Sequence, residues 1–138
     1  MEFTFLVEGK AEGKDRPRFA RGHVFTPQKT KDFEARVKTA AAEAMSRNFL
    51  EPTDEPVRVE ITCFFLPPKS ATKKFLNQID NELVPYDKKP DADNVAKAVC
   101  DAMNGVVFVD DKQVCYVSCE KWFTRDRDSF FVRVRTIQ

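Results

Sequence analysis

Lys89-Pro90-Asp91-Ala92-Asp93-Asn94-Val95-Ala96-Lys97-Ala98-Val99-Cys100-Asp101-Ala102-Met103-Asn104-Gly105-Val106-Val107-Phe108-Val109-Asp110-Asp111-Lys112 is the stretch around which the rest of the chain is organised. A proline disfavours helical geometry in the residue before it, so Lys89-Pro90 predicts an extended entry, with a helix opening directly afterwards and Asp91 to Asp93 at its N-terminus. Asn104-Gly105 stops that helix. Val95, Val99, Ala102 and Met103 share one side of a 3.6-residue repeat and form its core face. Asp93, Lys97 and Asp101, at i, i+4 and i+8, share the other side, with Asn94 beside them. Val106 to Val109 is an apolar run long enough for one buried strand or turn, and it returns Asp110 and Asp111 toward the helix start.

The candidate site is therefore Asp91, Asp93 and an aspartate from the 110–111 pair, with Lys97 one turn inside the helix. Magnesium prefers carboxylate oxygens, keeps several waters, and completes its shell with substrate phosphate rather than with a protein cage. Two or three convergent aspartates supply that half-shell. A lysine nearby holds a phosphate or offsets the charge that a phosphodiester gains in its transition state. The plainer reading is that these aspartates cap helices and complement the helix dipole, that Asp93 and Lys97 are a surface pair, and that Asp110-Asp111 is a turn. An EF-hand calcium loop is excluded, because Val95 and Ala96 stand where a ligand and a glycine are needed.

The pattern Lys89-Pro90-Asp91-Ala92-Asp93-Asn94, then Lys97, Asp101-Ala102, Asn104-Gly105 and Asp110-Asp111-Lys112-Gln113-Val114, resembles the signature of RusA-type endodeoxyribonucleases, Holliday junction resolvases common in phages and prophages. Arg16-Pro17-Arg18-Phe19 and Phe25-Thr26-Pro27 resemble the N-terminal segment of that family. The resemblance implies a small homodimer that binds four-way DNA junctions and cuts two strands symmetrically, using magnesium or manganese and no organic cofactor. It also implies catalytic roles for Asp91, Asp93 and Lys97, and for a third aspartate within the 110–111 pair, Asp111 being favoured. Asp101 matches a recurrent acidic position of less defined role.

With 138 residues, 42% hydrophobic and 33% charged, the chain reads as one globular domain spanning residues 1–138. No apolar run approaches a transmembrane length, and the N-terminus, carrying Glu2 and Glu8, does not read as a signal peptide, so the expected location is cytoplasmic. Cys63, Cys100, Cys115 and Cys119 include no Cys-x-x-Cys pair and read as buried free thiols rather than a zinc site. With His23 the only histidine, histidine triads and zinc-deaminase motifs are excluded.

The net charge of +1 hides an uneven distribution. Lys14, Arg16, Arg18, Arg21, Lys29 and Lys31 are clustered near one end of the chain, while Asp80 to Asp93 is rich in carboxylates. That split suits a protein that holds phosphate with one surface and metal with another. The basic residues are candidate DNA contacts, with Phe19 and His23 as candidate stacking partners for an opened base.

Elsewhere, Phe3 to Val7 and Val57 to Phe65 alternate as strands, and Gln113–Phe123 and Phe130–Ile137 read as an antiparallel hairpin. Helices are expected from Thr26-Pro27-Gln28 to about Asn48 and from Ser70 to Asn81, and Glu8 to Thr26 is expected to be a polar loop. The fold class is α+β, a small mixed β-sheet covered by helices on one side, whose open face is one that dimerisation would cover. The function these readings favour is magnesium-dependent cleavage of branched DNA in recombination and repair. The alternative is a non-catalytic branched-DNA-binding module with a structural acidic cluster.

Overall fold

The computed structural model describes residues 1–137. Its elements run β1 (Glu2–Glu8), β2 (Arg18–Ala20), β3 (His23–Phe25), α1 (Gln28–Arg47), β4 (Val57–Phe65), α2 (Lys73–Asn81), α3 (Ala92–Met103), a single 3-10 turn (Asp111–Gln113), β5 (Val114–Phe123) and β6 (Ser129–Thr136). The chain is α+β, with a mixed four-stranded sheet in the order β1-β6-β4-β5.

Period-two alternation explains the sheet. Phe3, Phe5 and Val7 of β1, Val57, Val59, Ile61, Cys63 and Phe65 of β4, and Phe130, Val132 and Val134 of β6 are buried on one face. Against that face lie α1, through Phe33, Val37, Ala41, Ala44 and Met45, and α3, through Val95, Ala98, Val99, Ala102 and Met103. The alanines of α1 let its backbone come close to its neighbours. Full burial of each larger side chain of α3 contributes about 1.5–3 kcal/mol, so that helix is held by its apolar face rather than by its ends.

β5 and β6 do not form the hairpin expected from their order. β4 lies between them, antiparallel to β6 and parallel to β5. The connection from Thr124 to Asp128 spans the end of β4 instead of turning tightly. Thr124 donates its backbone N–H to the Phe65 carbonyl at 2.8 Å, and the Leu66 N–H is taken by Asp128 Oδ1 at 2.9 Å. A parallel β4–β5 pair needs a long crossover. That crossover carries α2, α3 and the acidic turn.

Three smaller expectations are also corrected. The segment from Glu8 to Thr26 contains the β2–β3 hairpin, which turns at Arg21 and Gly22, both with positive φ, and all six of its strand residues are exposed. α2 begins at Lys73 rather than near Ser70, because Thr72 is its cap and accepts from the Phe75 N–H at 3.1 Å. The cysteines are free but not all buried, since Cys115 is exposed and Cys100 and Cys119 are half-buried.

Among the described residues the other sheet face carries no helix. One end of it is a charged ladder in which Glu60 bridges Arg133 and Arg135 at 3.7 and 3.2 Å, Arg133 also pairs with Glu2, and the Arg58 guanidinium stacks over Tyr116. At its other end Phe64 meets Phe131 edge-on, and Leu6 lines the same shallow hollow. No helix among the described residues is long and apolar enough to cross a membrane.

Candidate metal and DNA site

α3 starts at Ala92, after a cis Lys89-Pro90 bond, with Asp91 as its N-cap residue. The Asp91 carbonyl accepts from the Val95 N–H at 3.1 Å, but its carboxylate makes no capping bond. Asp91 and Asp93 are both exposed, and neither carboxylate makes a hydrogen bond or ion pair among the described residues. The same holds for the ammonium of Lys97, so Asp93 and Lys97 are not a formed surface pair. Because Val95 and Val99 are fully buried, the stripe Asp93, Lys97, Asp101 is turned outward.

The second acidic arm comes from the turn after α3. Val107 and Phe108 are fully buried, the Gly105 N–H reaches the Phe108 carbonyl at 2.8 Å, and the segment is pinned to Thr53 by two further backbone bonds. Gly105 has φ +80°, a conformation that favours glycine at this reversal. Asp110 then caps the 3-10 turn, accepting from the Lys112 N–H at 2.9 Å, while Gln113 Oε1 accepts from the Asp110 N–H. Gln113 also donates to the Thr53 and Glu55 carbonyls at 2.8 and 2.9 Å, which fixes the turn to the 51–56 loop.

This arrangement separates the two adjacent aspartates. The backbone N–H of Lys112 holds the Asp110 carboxyl below the usual range. Partial desolvation and then the neighbouring carboxyls of Asp110 and Asp101 push Asp111 above it. Asp110 is thus engaged as a cap, and Asp111 faces the end of α3. The apolar run 106–109 directs the pair toward the helix start; in the folded chain Asp111 shares a hollow with Asp93 of the first turn and also lies beside Asp101.

Asp93, Lys97, Asp101 and Asp111 line one open hollow of about 370 Å³, floored by Ala96, Cys100 and Val117. Burial, followed by the charges of Asp101 and Asp111, pushes the Cys100 thiol up to about 12, so it stays protonated there. Asp91 lines a neighbouring hollow of about 320 Å³ with Lys10, Lys14, Lys29, Lys89 and Asn94. Among the described residues no three acidic, histidine or cysteine side chains are close enough to form a ready cage. An all-oxygen, open-sided set of mutually repelling carboxylates fits a hard cation that keeps its waters and takes substrate oxygens, and it does not fit a soft or fully caged metal.

The basic residues divide into two groups. Arg16, Arg18, Arg21 and Lys31 are exposed and carry no ion pair among the described residues. Lys14 and Lys29 are engaged instead, Lys14 with Glu34 at 2.7 Å and Asp101 at 2.9 Å, and Lys29 with Glu12 at 3.4 Å. Phe19 and His23, the candidate stacking residues, stand exposed on the two strands of the hairpin.

One further residue escaped the sequence reading. Lys121, on β5, donates to the Lys88 and Pro90 carbonyls at 2.7 Å each, and Tyr86 donates its hydroxyl to the Lys89 carbonyl at 3.1 Å. Together they hold the entry to Asp91. The only signal in the sequence is a lysine among mostly apolar neighbours at a core-facing strand position.

The family model described as Endodeoxyribonuclease RusA matches residues 8–135. A protein of Bacillus subtilis (strain 168) named Uncharacterized protein YqaN is 28% identical over 130 residues, covering 91% of this chain and 89% of that one.

Proposed function

The chain belongs to the RusA family of endodeoxyribonucleases, and on that premise we propose that it resolves four-way DNA junctions by paired, symmetric phosphodiester cleavage that depends on magnesium or manganese. The observation that carries the reading is the convergence of Asp93, Lys97, Asp101 and Asp111 on one open hollow. In this reading Asp93 and Asp111 offer the carboxylate oxygens that hold a divalent ion. Asp91, the N-cap residue of the same helix and part of the second hollow, would supply a further carboxylate oxygen, and Asp110 would keep Asp111 in place. When bound, the ion neutralises phosphate charge and makes a water more acidic. The Lys97 ammonium, without a hydrogen bond or ion pair among the described residues, would support the phosphate oxygen that gains charge.

Binding is assigned to the basic arm. Arg16, Arg18, Arg21 and Lys31 would take backbone phosphates, which position DNA without reading sequence, and Phe19 or His23 would stack on an unpaired base. A homodimer would present two acidic hollows to a two-fold symmetric junction, with the helix-free sheet face as the surface to be covered.

The test is a synthetic four-way junction and a linear duplex of equal length, each incubated with magnesium or with chelator and resolved on a denaturing gel. Paired symmetric nicks in the junction alone, lost with chelator and lost in Asp93→Asn, are the expected result. Intact junction in every lane, with a shifted band on a native gel, would leave the chain a branched-DNA-binding module.

A further inference from the structure

Lys14 differs from every other cation of its loop. Its ammonium lies between two carboxylates from different helices, Glu34 of α1 and Asp101 of α3, and all three side chains are about three-quarters shielded from solvent. The backbone places it there. The Lys14 N–H is donated to the Asn94 carbonyl at 3.0 Å. A Cβ on Gly13 would stand 3.0 Å from Asn94 Cβ and 3.3 Å from Pro90 Cβ, so the loop lies this close to the start of α3 because residue 13 has no side chain. Burial works against the charge on Lys14, yet bonding to Glu34 and Asp101 outweighs it and leaves the ammonium more firmly protonated than usual.

Asp101 shares the hollow with Asp93 and Asp111. One of its oxygens is held by a fixed cation. We propose that Lys14 is a positioning residue of the acidic hollow, a tethered counterion whose bond to Asp101 sets how strongly the hollow takes a divalent cation. This rests on the metal-dependent reading above. The ammonium restrains Asp101, lowers the negative charge that a cation meets, and offsets the repulsion that would splay the carboxylates when no ion is bound.

The counterion role and a merely structural one predict opposite signs. Loss of a structural strut loosens the carboxylates and weakens cation binding. Loss of a counterion makes the hollow one charge more negative and frees Asp101, which strengthens it. The experiment titrates Mn²⁺ alone into the full chain by calorimetry, with thermal melting to follow the fold. Lys14→Gln is expected to bind Mn²⁺ about tenfold more tightly than the parent, and Lys14→Arg within about twofold of it. Lys14→Gln combined with Asp101→Asn should return toward the parent value. Unchanged or weaker uptake by a folded Lys14→Gln overturns the proposal. Should that variant fail to fold, Lys14→Met, which keeps the apolar stem and removes the charge, carries the test; Mn²⁺ binding about tenfold tighter is expected, and unchanged or weaker binding overturns the proposal. No uptake by the parent chain overturns the metal reading and this proposal with it, whereas uptake by the parent and no change in Lys14→Gln overturns this proposal alone.

Discussion

Asp93, Lys97 and Asp101 stand on a helix whose opposite side is sealed into the core, whereas Arg18, Phe19 and Arg21 stand on a two-stranded ribbon with no buried strand residue. The first arrangement fixes side-chain positions through packing. The second leaves them free, because a lone hairpin in water is only marginally stable and gains order from what it touches. Cleavage chemistry tolerates little misplacement, while phosphate contacts along a branched substrate need reach. The two regions therefore differ in how they are held as well as in charge.

The contrast can be broken most directly beneath the acidic turn. Phe108→Ala should cost about 3–5 kcal/mol in denaturant unfolding, because Phe108 is fully buried in the segment that presents Asp111. Phe19→Ala, on the ribbon, should change stability by less than about 0.5 kcal/mol. Comparable losses would mean that the ribbon is packed in solution and that the contrast is mistaken.

At the hollow, Asp111→Asn should lower cleavage by about 10²–10³-fold while junction binding on a native gel is retained. A variant that still cuts at the parent rate would remove Asp111 from the chemistry. On the ribbon, Arg18→Gln with Arg21→Gln should weaken junction binding about tenfold and reduce its salt slope by about two, with cleavage at saturating junction preserved. A salt slope equal to the parent's would show that these arginines do not meet phosphate.

The smallest effect is on pH. Asp111 is pushed up by its surroundings, so its ionised form is disfavoured in the folded chain, and cation uptake should be lost as pH falls through that raised value. Asp110→Asn keeps an oxygen to accept the Lys112 N–H but removes a neighbouring charge. The acid limb of the cleavage profile should then move to lower pH. A limb that stays in place would mean that another group controls it.

Much of this was legible in the sequence where the cause is local. The apolar side of α3, its outward acidic stripe, the long α1 and the alternation of β1 and β4 all follow from periods of 3.6 or 2 over a few residues. What was not legible depends on distant partners. β5 and β6 adjoin in sequence, and only the path of Thr124 to Asp128 across the end of β4 reveals that they are not neighbours. Lys14 reads as one more basic residue of a loop, because nothing near it in sequence announces Glu34 or Asp101. Asp101 stands on the stripe by its spacing, yet only the folded turn after α3 shows that it lies beside Asp111.

The parallel pairing of β4 with β5 has a kinetic meaning. β5 cannot dock on β4 until the intervening segment has folded back along the sheet, and that segment holds α3 and the acidic turn. Closing the last edge of the sheet and gathering the carboxylates are thus expected to occur together in folding. A chain caught before that event would leave β4 as an unpaired edge and the hollow unformed, so the appearance of cation uptake during refolding would time the completion of the sheet.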